Sequence, residues 1–97
     1  MPKRRTDTSG SRVTLGTDLR IAHARVVFEA LEGAAARGPV EIDASEVTKV
    51  DAAGLQALAA ALIRYRDAGV QWRWNDPSLA LVSAARLAGL ESTLELT

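Results

Sequence analysis

Three times along this chain, a short run suited to a β-strand hands over to an apolar stripe of helical period. "RVTL", from Arg12 to Leu15, has the composition of a strand, and Gly16-Thr17-Asp18 follows as a turn. From Leu19 to about Ala36 the spacing predicts a helix with Ala24, Val27, Phe28, Leu31 and Ala35 on one face. Arg25, Glu29 and Glu32 share another flank, where they can pair with one another. Pro39 stops that helix, and "VEIDAS" opens a strand with Val40 and Ile42 on one side. A second apolar step, Val47 to Val50, leads into the clearest helix, whose stripe is Leu55, Leu58, Ala59, Leu62 and Ile63. Gly69 is placed to end it in the left-handed conformation. "VQWRW" alternates, with Val70, Trp72 and Trp74 facing one way. In "NDPS", Asp76 reads as a cap and Pro77 as the first residue of a last helix running to about Ala88. Gly89-Leu90 closes it, and Glu91 to Thr97 forms a short turn or helical piece.

This alternation predicts an α/β domain: a mostly parallel sheet packed by helices, with right-handed crossovers. In such sheets the functional loops gather where strands end and helices begin. Residues 1 to 11, "MPKRRTDTSGS", are polar, basic and aperiodic and read as a disordered tail, leaving residues 12 to 97 as the domain. Lys3, Arg4 and Arg5 in that tail read as solubilising charge.

Composition removes whole classes of function. The chain has no cysteine, which excludes disulfides, thiolate catalysis and cysteine-ligated zinc. Its 12 basic and 12 acidic side chains balance, so it is not built to attract nucleic acid or an anionic membrane. No apolar run approaches the ~20 residues of a membrane span, and the N-terminus lacks the apolar core of a signal peptide. A cytoplasmic domain is expected.

The residues of catalysis do not assemble in the sequence. The single histidine, His23, has no partner at metal-ligand spacing and reads as a boundary residue of the first helix. Asp18, Asp43 and Asp51 all fall near strand ends, yet each has a plain role in a turn or a cap. No glycine-rich phosphate loop occurs, and Trp72 and Trp74 read as buried under a helix rather than as a base-stacking platform. No enzyme, cofactor or metal is expected.

What remains is the corner Asp51-Ala52-Ala53-Gly54, where a strand turns into the long helix. Asp51 is a good cap, expected to accept the N–H groups of residues 53 and 54. Ala52 and Ala53 leave the surface flat, but a glycine in a first helical turn costs stability, so Gly54 asks for another reason.

"EIDAS", "VDAAGL", the long helix, the next strand and "DPSLALVSAARLAGL", in this order and spacing, resemble a STAS domain, the fold of bacterial anti-sigma-factor antagonists. The resemblance runs from about Arg12 to Leu96 and implies a non-enzymatic module that docks a protein partner. In that family the position of Ala52 usually carries a serine or threonine phosphorylated by a partner kinase, and the phosphate breaks the complex. Two negative charges beside the cap would have that effect. Ala52 has no hydroxyl, so the resemblance implies a degenerate acceptor position and a partner bound without the usual switch.

The implied docking surface comprises Asp51, Ala52, Ala53 and Gly54, with Gln56, Ser45, Thr48 and Lys49 as a polar rim, while Leu55, Leu58 and Leu62 belong to the core. Ser45, Thr48 and Ser78 offer hydroxyls nearby, and Ser45 and Thr48 read more simply as turn residues. The implied partner is a histidine-kinase-like anti-sigma factor or another signalling protein. The alternative is the ATPase of a phospholipid-transport ABC system, whose STAS subunit typically carries threonine where this chain has Ala52.

Overall fold

A computed structural model of the protein describes residues 10–96. The expected tail therefore lies mostly outside the described residues, and its last member, Ser11, is already the first residue of a strand. The elements follow in the order β1 (Ser11–Thr14), β2 (Asp18–Leu19), α1 (Ile21–Ala35), β3 (Val40–Asp43), β4 (Lys49–Val50), α2 (Ala52–Ala68), β5 (Trp72–Asn75), α3 (Leu79–Leu87) and α4 (Glu91–Leu94).

Strands β1, β3 and β5 form one sheet with β3 central, and β2 and β4 form a separate pair; every pairing among the described residues is parallel. The register places Val13 beside Ile42 and Ile42 beside Trp74, so the apolar sides of three strands merge into one face. That face joins the helices in a single core whose fully buried members include Leu19, Leu31, Ile42, Leu58, Leu62, Leu81 and Leu94. Each such side chain contributes about 2 kcal/mol of burial. The alternate positions Arg12, Glu41 and Arg73 stand in one register row on the other face, where Arg12 pairs with Asp43 and Arg73 with Glu41.

Helices α1 and α2 pack against each other, and α2 also meets α4. Of the expected stripe Leu55, Leu58, Ala59 and Leu62 are buried, and packing on two sides extends the buried arc of α2 to further residues. Ala61 and Tyr65 are inside, whereas Ile63 is 43% exposed. Tyr65 donates its hydroxyl to the Leu31 carbonyl of α1 and meets Trp72 edge to face at 6.1 Å. Both tryptophans are half-buried and send their indole N–H to the Leu94 carbonyl of α4.

Four local expectations are corrected. Helix α1 begins at Ile21, because Leu19 pairs with Val50 in the β2–β4 ladder and Arg20 is extended. Glu32 bridges to Arg64 of α2 rather than to Arg25, since the helix–helix seam brings Arg64 closer. Asp76 has a left-handed φ of 53° and does not cap α3. Ser78 does so instead, accepting from the Leu81 N–H at 3.1 Å, with Pro77 outside the helix. The stop at Gly69 matches the sequence reading, with φ 75° and its N–H on the carbonyls of Arg66 and Tyr65.

Candidate functional site

The β2–β4 ladder sets Asp18 beside Lys49 and Leu19 beside Val50, and both chains then turn into helices. Past the ladder, Arg20 and Asp51 are both extended cap residues. The molecule thus carries two parallel strand-to-helix junctions side by side, and one carboxylate serves both. Asp51 Oδ1 accepts the Gly54 N–H of α2 at 2.8 Å, and Asp51 Oδ2 accepts the Ile21 N–H of α1 at 3.1 Å. Arg20, the cap position of α1, makes no side-chain cap of its own. The expected acceptance from residue 53 is replaced by this contact across to the other helix, because the paired register delivers the Ile21 N–H to the second oxygen. Hydrogen bonds from Gly54 and then Ile21 hold the Asp51 carboxyl below its usual range.

The Asp51 N–H also donates to the Leu19 carbonyl at 3.2 Å. That carbonyl explains Gly54. A Cβ there would sit 2.0 Å from Leu19 O and 2.6 Å from Leu19 C, both backbone atoms. Gly54 is buried, so its close approach is to the neighbouring junction inside the molecule and not outward. In this respect the expected surface is corrected: it loses Gly54 to the interior.

The remaining positions stand as follows. Ala52 and Gln56 are exposed, and Ala53 is half-buried, all on the first turns of α2. Thr48 and Lys49 are exposed just before them, with both N–H groups on the Thr17 carbonyl at 2.9 and 3.1 Å. Ser45 is held elsewhere, at the end of β3, where its N–H and hydroxyl both donate to Asp43 Oδ1. These two bonds and the Arg12 guanidinium bring Asp43 down to about 2. Leu55, Leu58 and Leu62 are buried, as core residues should be.

Around the twin junction the charges are largely used within the fold. Asp18 takes the Arg20 guanidinium on both oxygens at 2.8 and 2.9 Å, and His23 Nδ1 lies 3.5 Å from the same carboxylate. Arg20 is the main reason the Asp18 carboxyl titrates below its usual range. The three aspartates do not converge on one point, because Asp43 is committed to Arg12 and Ser45. Among the described residues no group of three His, Asp or Glu side chains is placed to hold a metal ion. Sequence reasoning missed Ile21, which starts α1 at 72% exposure with its N–H on Asp51. Its only sequence signal is an isoleucine at a polar helix boundary.

A family model described as "Mlab, STAS domain" matches residues 3–96. The chain belongs to the STAS domain family. As a STAS domain it is of the class of small interaction modules that includes anti-sigma-factor antagonists. Among solved structures, the crystal structure of Mglu is similar, with a TM-score of 0.63 and 23% identity over 79% of this chain. This chain spans only 19% of that one, so the likeness bears on the fold of the STAS domain alone. No curated protein matches the chain. No helix of the described residues is long and apolar enough to cross a membrane.

Proposed function

We propose that this STAS domain is a non-enzymatic, anti-sigma-factor-antagonist-like regulator that docks a signalling protein in the cytoplasm through the start of α2, without a phosphorylation switch. One observation carries the reading. The first residue of α2, Ala52, is exposed on a capped corner and carries only a methyl group, at the position that the sequence resemblance assigns to the family's hydroxyl. Asp51 keeps the helix start fixed, Ala52 and Ala53 keep it flat, and Gln56, Thr48 and Lys49 supply polar contacts at its edge. Such a face binds as though permanently unphosphorylated.

The test compares wild type with Ala52→Glu in affinity capture from the source cell, followed by mass spectrometry. Glutamate in a first helical turn is well tolerated by the helix dipole, so the fold survives while a charge enters the docking face. Loss of a histidine-kinase-like protein, with affinity falling about tenfold or more, supports the reading. That kinase should also phosphorylate Ala52→Ser. A partner retained by the glutamate variant places the docking surface elsewhere.

The family description, Mlab, favours keeping a second reading: an accessory STAS subunit of a phospholipid-transport ABC ATPase. It uses the same corner and predicts an ABC ATPase as the protein lost with Ala52→Glu.

A further inference from the structure

We infer that the docking face is composite, with Ile21 at the start of α1 as its apolar anchor, and that the partner presents an apolar recess bordered by a carboxylate that meets Lys49. The inference rests on the proposed docking role of the α2 start and extends it to the neighbouring helix.

Single exposed apolar side chains are common, so the 72% exposure of Ile21 is not by itself informative. Its position is. The Asp51 carboxylate ties the two helix starts together, accepting from Ile21 N–H at 3.1 Å and from Gly54 N–H at 2.8 Å, so the first residue of α1 lies against the side chain of the residue before Ala52. A partner that covers Ala52 closely enough to be expelled by a charge there also covers Ile21. An exposed isoleucine fixed on a capped helix start pays little ordering entropy on binding, which suits an anchor.

Charge defines the partner's chemistry. Both oxygens of Asp51 are taken by backbone N–H groups, and Asp18 is taken by Arg20 and His23. Arg20 is in turn committed to Asp18. Lys49 is exposed, and among the described residues no carboxylate lies within ion-pair distance of it. Of the charged residues at the two junctions, Asp18, Arg20, Lys49 and Asp51, Lys49 is therefore the one without an ion pair or cap contact among the described residues, with Glu46 exposed in the loop before it. A surface complementary to this face is apolar at the centre and acidic at the edge.

The experiment places a photo-crosslinking benzoylphenylalanine singly at positions 21, 52 and 87 of the full chain in its own cells. Position 87 serves as a distant control, because Leu87 is 90% exposed on α3. The expected result is one and the same heterologous protein, identified by mass spectrometry, joined at 21 and at 52 but not at 87. Its yield should fall about tenfold at both positions when Lys49→Glu is added. An adduct at 52 alone, or different proteins at 21 and 52, overturns the composite face and leaves the proposed function standing. Undiminished yield with Lys49→Glu overturns the acidic edge. Adducts only at 87, or at none of the three, overturn both this inference and the docking role of the corner. A second copy of this chain as the adduct overturns the heterologous partner.

Discussion

The carboxylate of Asp51 reaches across from α2 to accept the backbone N–H of Ile21 at the first turn of α1, 3.1 Å away and 30 residues upstream. Its other oxygen caps its own helix. Two helices are thereby fixed at a common level by one side chain.

The two oxygens can be separated by mutation. In Asp51→Asn the remaining carbonyl oxygen can still accept from Gly54, but the amide nitrogen cannot accept from Ile21. Amide exchange at Ile21 should accelerate in the asparagine variant while Gly54 stays protected, and both should accelerate in Asp51→Ala. The melting temperature should fall by a few degrees in the first and further in the second. Hydrogen exchange read residue by residue decides this, and equal protection at Ile21 in wild type and Asp51→Asn would refute the double cap.

Gly54 and Gly33 give opposite signs for the same substitution. Alanine at 54 drives a Cβ into the Leu19 backbone, where neither atom can yield without parting the two junctions. Overpacking of that kind costs about 3 kcal/mol or more and outweighs the gain of about 1 kcal/mol in helix propensity. Alanine at 33, in the middle of α1, meets nothing within 4 Å and should stabilise the fold by about 1 kcal/mol. Urea unfolding of both variants checks the pair, and a stable Gly54→Ala would remove the packing explanation for that glycine.

The contrast shows what the sequence made legible. The main alternation of three strands and three helices, the core leucines of α2 and the cap of α2 by Asp51 follow from local period and local chemistry, and all are present. The short strand at Asp18–Leu19 does not follow from them. The second half of the Asp51 contact and the reason for Gly54 both depend on Leu19, Arg20 and Ile21, which only strand register brings alongside. The start of α3 failed for a different reason. "NDPS" contains two residues able to cap, and the left-handed backbone at Asp76 decides in favour of Ser78. Ile63 read as core because its spacing fits the stripe, but the positions of α1 and α4 turn it outward.

Tyr65 ties α2 to α1 from inside. Tyr65→Phe leaves the Leu31 carbonyl without its hydroxyl donor and should cost about 1–2 kcal/mol, measured by thermal or urea unfolding. Burial, and after it Glu32, raises the Tyr65 hydroxyl from 10.0 to about 12. The folded protein therefore holds that proton where the unfolded chain has released it. Stability from Tyr65 is complete below about pH 10 and is lost as pH rises toward 12. Wild type should converge on Tyr65→Phe across that window, and a constant gap would show that the hydroxyl titrates normally.

At the acid end the same linkage runs in reverse. Asp43 titrates at about 2 in the fold against an ordinary 3.8, because the Ser45 N–H, the Arg12 guanidinium and the Ser45 hydroxyl all favour its charged form. Its contribution is complete above the ordinary value and is lost as pH falls from there through about 2. Asp18 and Asp51 are shifted in the same direction by Arg20 and by the two helix N–H groups, so they add to the same acid limb. Asp43→Asn removes one of the three contributions. The urea midpoint followed from about pH 5 to about pH 2 should therefore fall less steeply in Asp43→Asn than in wild type, without becoming flat. Identical slopes would mean that Asp43 gains nothing from its ring of donors, and that the acid limb belongs to the twin junction alone.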